Sequence, residues 1–114
     1  MTEDEFRAMV LALPGVETGT SYGEPSFKLA GRFFTRVRAE DGSAVLQDVP
    51  PDEREALIEA EPEVFHLTDH YRNYPIVLAR LAPASPGQVR GLLERSWRSR
   101  APKKLLRIIP ERRF

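Results

Sequence analysis

Two periods of hydrophobicity divide this chain. From Thr2 to Leu13 the period is helical. Phe6, Met9, Val10 and Leu13 fall at i, i+3, i+4 and i+7 and make one apolar stripe. Thr2 and Glu5 form a T-x-x-E capping box ahead of it, and Pro14-Gly15 ends it. Residues 15–25, rich in Gly, Thr, Ser and Pro, are predicted to be loop. The period then drops to two. Phe27 and Leu29 alternate with Lys28 and Ala30, and Gly31 marks a tight turn. Phe33, Thr35 and Val37 next alternate with Phe34, Arg36 and Arg38. Asp41-Gly42 predicts a type I′ hairpin, whose central residues need positive φ, and a third strand follows over 43–47.

Pro51 to Ala60 reads as a short acidic helix with Pro51 in its first turn and a narrow face of Leu57 and Ile58. Val64 to Leu67 is a predicted fourth strand. A polar, aromatic loop from Thr68 to Tyr74 leads through Pro75 to a fifth, Ile76 to Leu81. Ser85 and Gln88 form a second capping box with Pro86 at the first helical position. Val89, Leu92, Leu93 and Trp97 then share one helical face. Pro102 should end that helix. Beyond it Leu105, Leu106, Ile108 and Ile109 bracket Arg107 in a pattern compatible with helix or strand.

The order is helix, three strands, helix, two strands, helix. Strands joined by short turns pair antiparallel. One-sided strands with amphipathic helices predict an α+β fold, a two-layer sandwich with one antiparallel five-stranded sheet covered by helices. Residues 1–102 form a single predicted domain, and 103–114 a basic C-terminal extension.

Composition narrows the chemistry. The 114 residues contain no cysteine, which excludes disulfides and thiolate metal sites. No apolar run is long enough for a membrane span, and the acidic start (Glu3, Asp4, Glu5) is unlike a signal peptide, so a cytoplasmic location with no membrane partner is expected. The net charge of zero conceals an uneven distribution. From Arg90 onward nine basic residues face two acids, and the preceding body is correspondingly acidic. Such asymmetry points to phosphates or to an acidic partner.

Four stretches carry a family resemblance: LPGVETGTSYGEPSFKLAGRFF (13–34), EPEVFHLTDHYRNYPIVLARL (61–81), the late Trp97, and APKK (101–104). Together they resemble the MmcQ/YjbR family, with HYRNYP before an apolar strand the most specific piece. The resemblance implies the α-β3-α-β2-α two-layer arrangement. It also implies a non-enzymatic binding module with DNA as the nominal ligand. The tail RIIPERRF departs from the family pattern.

Candidate residues fall in three groups. The C-terminal arm offers Arg98, Lys103 and Lys104 to phosphates, with Arg90, Arg95 and Arg100 nearby; otherwise it is a solvated helix face, or it pairs with the acidic segment Asp48 to Asp69. The strand region around Arg32 offers Lys28, Arg36 and Arg38 beside Phe34, a stacking-and-phosphate pattern or simply a polar sheet face. A ligand or partner loop is expected from His70, Tyr71, Arg72 and Tyr74, joined by Tyr22. Binding by these groups should be weakly sequence-specific, since no recognition helix is visible. The alternative is a chaperone-like protein-interaction module, with self or another protein as partner through complementary acidic and basic surfaces. No cofactor is expected. His66, Asp69 and His70 lie between strand signals, and Tyr74-Pro75 resists the helix that an i, i+4 metal pair needs. Ser21, Asp69 and His70 are triad residue types without a triad motif, so no catalytic residue is assigned.

Overall fold

The computed structural model describes residues 1–107. The chain runs α1 (Glu3–Leu11), β1 (Val16–Ser21), β2 (Glu24–Leu29), β3 (Arg32–Thr35), β4 (Ser43–Gln47), α2 (Pro51–Ala60), β5 (Phe65–His66), a 3₁₀ turn (Asp69–Tyr71), β6 (Ile76–Arg80), α3 (Pro86–Arg100) and α4 (Lys103–Leu106). The class is α+β, but the strands form two three-stranded antiparallel sheets, ordered β1-β2-β3 and β4-β6-β5, rather than one five-stranded sheet. The register explains the division. It shifts between Phe27 and Lys28 against β3, and past Thr35 the chain turns to meet β4 in a lone bridge, Val37 to Ala44. Thr35 Oγ1 donates to the Val45 carbonyl at 2.7 Å and so stitches the two sheets in their buried seam.

The extra strand is β1, where loop was predicted. Its Gly, Thr and Ser residues hide the strand period because only Val16 is buried. It folds back on β2 through Tyr22-Gly23, whose φ values of 52° and 81° make a two-residue turn without the usual Asn or Asp. Ala30-Gly31 repeats that geometry, at 52° and 82°, between β2 and β3. Asp41-Gly42 does not form the predicted type I′ turn. Only Gly42 has positive φ, and Gly42 N–H and Arg38 N–H bond to Arg38 and Ser43 carbonyls across a longer loop. Pro25 is tolerated inside β2 because it lies opposite Thr20, beyond the end of the β2–β3 pairing.

The capping box of α1 forms in full, with Thr2 and Glu5 bonding each other's backbone N–H. The box predicted for α3 does not. Ser85 is the N-cap, but its side chain makes no cap bond, and Pro86 sets the first turn instead. From α3, Val89, Leu92, Leu93 and Trp97 are all buried. They join Phe6, Val10, Phe34, Leu46, Phe65 and Val77 in the main core. Trp97 is fully enclosed, and its indole N–H donates to the Pro14 carbonyl at 2.8 Å, which satisfies the ring's only polar atom. The β4-β6-β5 sheet is covered on both sides. Val45, Ile76 and Leu78 form a second cluster under Phe33 and Tyr71, which is why β4 and β6 read as nearly unbroken apolar runs.

Two polar contacts hold the less regular parts. Arg54 of α2 is buried, and its guanidinium donates to the carbonyls of Tyr74 (2.7 Å), Ile76 (3.1 Å) and Arg72 (3.3 Å). This gives the carbonyls of Arg72, Tyr74 and Ile76 a shared donor. β5 has only two residues, and His66 secures it. Its Nε2 lies 2.8 Å from Ser43 Oγ and 3.7 Å from Asp41 Oδ2. Burial and the nearby Arg80 hold the imidazole below its ordinary value of 6.5, a tendency that Asp41 opposes and Arg38 reinforces. No helix among the described residues is long and apolar enough to cross a membrane.

Replacing Arg54 by Met should leave three carbonyls short of a donor and cost about 2 kcal/mol, read as a lower urea midpoint with unchanged slope. Because folded His66 resists protonation, the unfolded chain binds more protons as pH falls below 6.5, so stability should decline there. The denaturation midpoint should fall between about pH 7.5 and about pH 5.5, and His66→Gln should flatten that decline.

Candidate functional site

The six cations expected to contact phosphate differ in exposure and in the partners they already have. Arg38 is drawn into its own loop. Its side chain is only 12% exposed and lies 3.4 Å from Glu40 and 3.5 Å from Asp41. Burial pushes the Asp41 carboxyl up, but its Ser43 hydrogen bonds and Arg38 outweigh that and hold it below 3.8. Arg38 is thus committed to the loop it belongs to. Arg36 donates to the Tyr71 hydroxyl at 3.4 Å, over the second apolar cluster. Lys28 lies opposite Glu17, and its stem crosses Gly19, where a Cβ would sit 3.0 Å from Lys28 Cγ. Arg98 is half-buried on α3 and engaged by a neighbour.

The basic arm and the acidic segment meet within one molecule. Arg95 pairs with Glu53 at 2.8 Å and donates to the Asp48 carbonyl at 3.2 Å. Arg100 grips the Asp48 carboxylate with Nε at 2.7 Å and a second nitrogen at 3.2 Å. Ser96 donates to the same carboxylate at 2.9 Å. Three residues from two successive turns of α3 therefore converge on Asp48, which sits at φ 66° between β4 and α2. Much of the charge complementarity legible in the sequence is consumed by this contact.

Several exposed cations stay outside these pairs, among them Arg7 on α1 and Arg90 early in α3, and three more lie about the junction of α3 and α4. A groove of about 380 Å³ runs between the β2–β3 turn and this junction, lined by Leu29, Ala30, Arg32, Phe33, Arg100 and Pro102. Arg32 is exposed and makes no ion pair with any described residue. Lys103 and Lys104 follow Pro102 directly, are exposed, and are likewise without an ion pair among the described residues. Phe33 is half-buried on the groove wall. The joint is held from beneath. Leu105 and Leu106 pack on the main core, and Gly15 leaves room for Leu105, whose Cδ1 would be 2.5 Å from a Cβ there. The rest of the predicted extension, 108–114, lies outside the described residues. In the sequence Arg32 stands only as a neighbour of Lys28, Arg36 and Arg38. Its place immediately after a Gly turn was the available signal, because a turn carries its flanking side chain outward.

The aromatic loop is built rather than free. Tyr71 packs on Ile76 and its neighbours, His70 meets the Tyr71 ring edge-on at 4.7 Å, and Arg72 pairs with Asp69. Tyr74 is 56% exposed beside the carbonyl that Arg54 holds. Tyr22 stands apart, fully exposed on the β1–β2 turn, with no hydrogen bond or ring contact to the loop among the described residues. A second groove of about 290 Å³ lies between α1 and the β1–β2 hairpin, where Arg7 rests over the Phe27 ring at 5.9 Å and Glu3, Asp4 and Glu24 line the wall. Ser43, His66 and Asp41 repeat the residue types of a triad. Both partners approach the same nitrogen, Nε2, so the relay geometry, which uses the two ring nitrogens separately, is not formed.

Similarity to known proteins follows the same boundaries. Uncharacterized proteins of Mycobacterium bovis and Mycobacterium tuberculosis are each 41% identical over 51 residues, 45% of this chain and 40% of those proteins. The match therefore spans less than half the length of these relatives. No solved structure matches the chain. Residues 11–99 match the YjbR family, from the end of α1 through β1–β6 to the late turns of α3. That span includes both sheets, the Arg54-held loop and the Trp97 core, and by it the chain belongs to the YjbR family.

Proposed function

We propose that this protein is a non-enzymatic binding module for nucleic acid and that its phosphate-contacting surface is the groove at the α3–α4 junction. Arg32, Lys103 and Lys104 supply point charges there, and Phe33 offers a face for stacking. The observation that carries this reading is the partition of cations. Arg38, Arg95 and Arg100 are drawn into internal ion pairs, whereas Arg32, Lys103 and Lys104 are not. A cation already paired must exchange its carboxylate for a phosphate and gains little; one facing water releases counterions from the nucleic acid at full effect. The groove lacks a helix poised to read base edges, so contact with backbone and with unstacked bases is the chemistry it suits.

Fluorescence anisotropy of labelled single- and double-stranded DNA, at about 50 and about 200 mM salt, tests this. Binding should weaken steeply with salt. The double variant Lys103→Glu/Lys104→Glu and the single variant Arg32→Glu should each lower affinity and flatten the log–log salt slope by about one for every phosphate contact removed. Arg36→Ala should change neither. Asp48→Asn should tighten binding, because it frees Arg100 at the groove. Absence of binding at low salt, or loss of binding on Arg36→Ala alone, contradicts the proposal.

A further inference from the structure

The β1 strand is the terminal strand of its sheet, and of the devices that usually blunt an edge it carries one exposed charge, Glu17. It is six residues long, pairs with β2 without a register shift, and contains no Pro or Lys. The register fixes which of its backbone groups are free. Ala30 N–H bonds to Gly15 carbonyl, so alternation makes Glu17, Gly19 and Ser21 the residues that exchange bonds with β2. Pro25, which has no N–H, correspondingly lies in a non-bonded pair with Thr20. Val16, Thr18 and Thr20 therefore turn their N–H and C=O away from the sheet. Val16 N–H is taken by the Leu13 carbonyl at 3.3 Å, but those of Thr18 and Thr20 meet no partner among the described residues.

We propose that β1 is the seam of a homodimer, in which two copies pair antiparallel about a two-fold axis at Gly19. Self-complementarity selects this occupant and this register. With the axis at Gly19, Thr18 of each copy exchanges both backbone bonds with Thr20 of the other, and every free group on the edge is used. Centring on Thr18 would set Thr20 against Val16, whose N–H is already occupied. Centring on Thr20 would set Thr18 against the turn residue Tyr22. The chosen register also places Gly19 against Gly19 in the non-bonded pair, where Cα atoms come within about 4.5 Å and side chains crowd most. Glu17, the single charge on β1, faces Ser21 rather than a second Glu17. Thr18 and Thr20 form cross-strand threonine pairs.

Tyr22 gives an independent reason. It is the most exposed large hydrophobic residue among those described, and it occupies positive φ, where a bulky residue is disfavoured. Asn would serve the turn better. In the proposed dimer Tyr22 lies opposite Val16 of the second copy, so the ring that is costly for the monomer covers the seam's end.

Sedimentation equilibrium on the full chain, from about 10 μM to about 1 mM, reads the association directly. The mass should rise from 13.0 kDa toward twice that value. Thr20→Pro removes an outward N–H without touching the β2 ladder and should hold the protein at the monomer mass. Tyr22→Asn should weaken dimerisation about tenfold while raising the melting temperature of the dilute protein. Backbone hydrogen exchange needs no variant: Thr18 and Thr20 amides should be protected in concentrated samples and fast on dilution. A constant 13.0 kDa mass, a dimer that survives Thr20→Pro, or fast exchange of both amides at high concentration overturns the proposal.

Discussion

The carboxylate of Asp48 organises the charge of this molecule. It receives Ser96 and Arg100 from α3, its carbonyl receives Arg95, and Arg95 continues to Glu53 on α2. The basic end of the chain is thereby tied to the start of its acidic middle. Without that contact the two halves would present opposite fields to solvent, and any acidic or basic partner would be attracted nonspecifically. With it, Arg95 and Arg100 are taken up internally, and Arg32, Lys103 and Lys104 are left exposed and outside any ion pair with a described residue about the place where α3 gives way to α4. The positive φ of Asp48 belongs to the same arrangement, because the chain must turn sharply from β4 toward α2 to bring the carboxylate under the α3 helix.

A second buried group shapes the opposite side. Arg54 is buried and makes no ion pair with a described residue, and three carbonyls of the 72–76 segment accept its protons. A guanidinium suits this task because its fork of donors can serve several acceptors at once and it does not lose its charge. Arg54 converts the irregular HYRNYP stretch into a fixed platform, with Tyr71 inward on the second cluster and Tyr74 outward. The most distinctive motif of the sequence is accordingly explained first by folding.

Local signals in the sequence were legible where one residue set determined one element. The Thr2–Glu5 box, the α3 face around Trp97, and strands β4 and β6 follow directly from spacing. β1 was hidden because an edge strand of Gly, Thr and Ser buries almost nothing, and Tyr22-Gly23 lacks the residues that announce a tight turn. The division into two sheets turns on a register shift opposite Phe34, which period-two alternation does not encode. The candidate site was half legible. Lys103 and Lys104 stand out in the sequence as part of a basic arm, whereas the ion pairing of Arg38 depends on how the Ala39–Gly42 loop folds back, a tertiary fact. Arg54 stood out only as the one base in an acidic run; its role depends on a segment 18 to 22 residues away.

The most direct test of this account is residue-resolved NMR titration of the protein with a short single-stranded oligonucleotide at low salt. The partition of cations predicts that resonances of Arg32, Phe33, Lys103 and Lys104 shift together and return when salt is added, while Arg36 and Arg38 stay in place. Shifts concentrated on Arg36, Arg38 and the 70–74 loop, or no shifts at all, would contradict it.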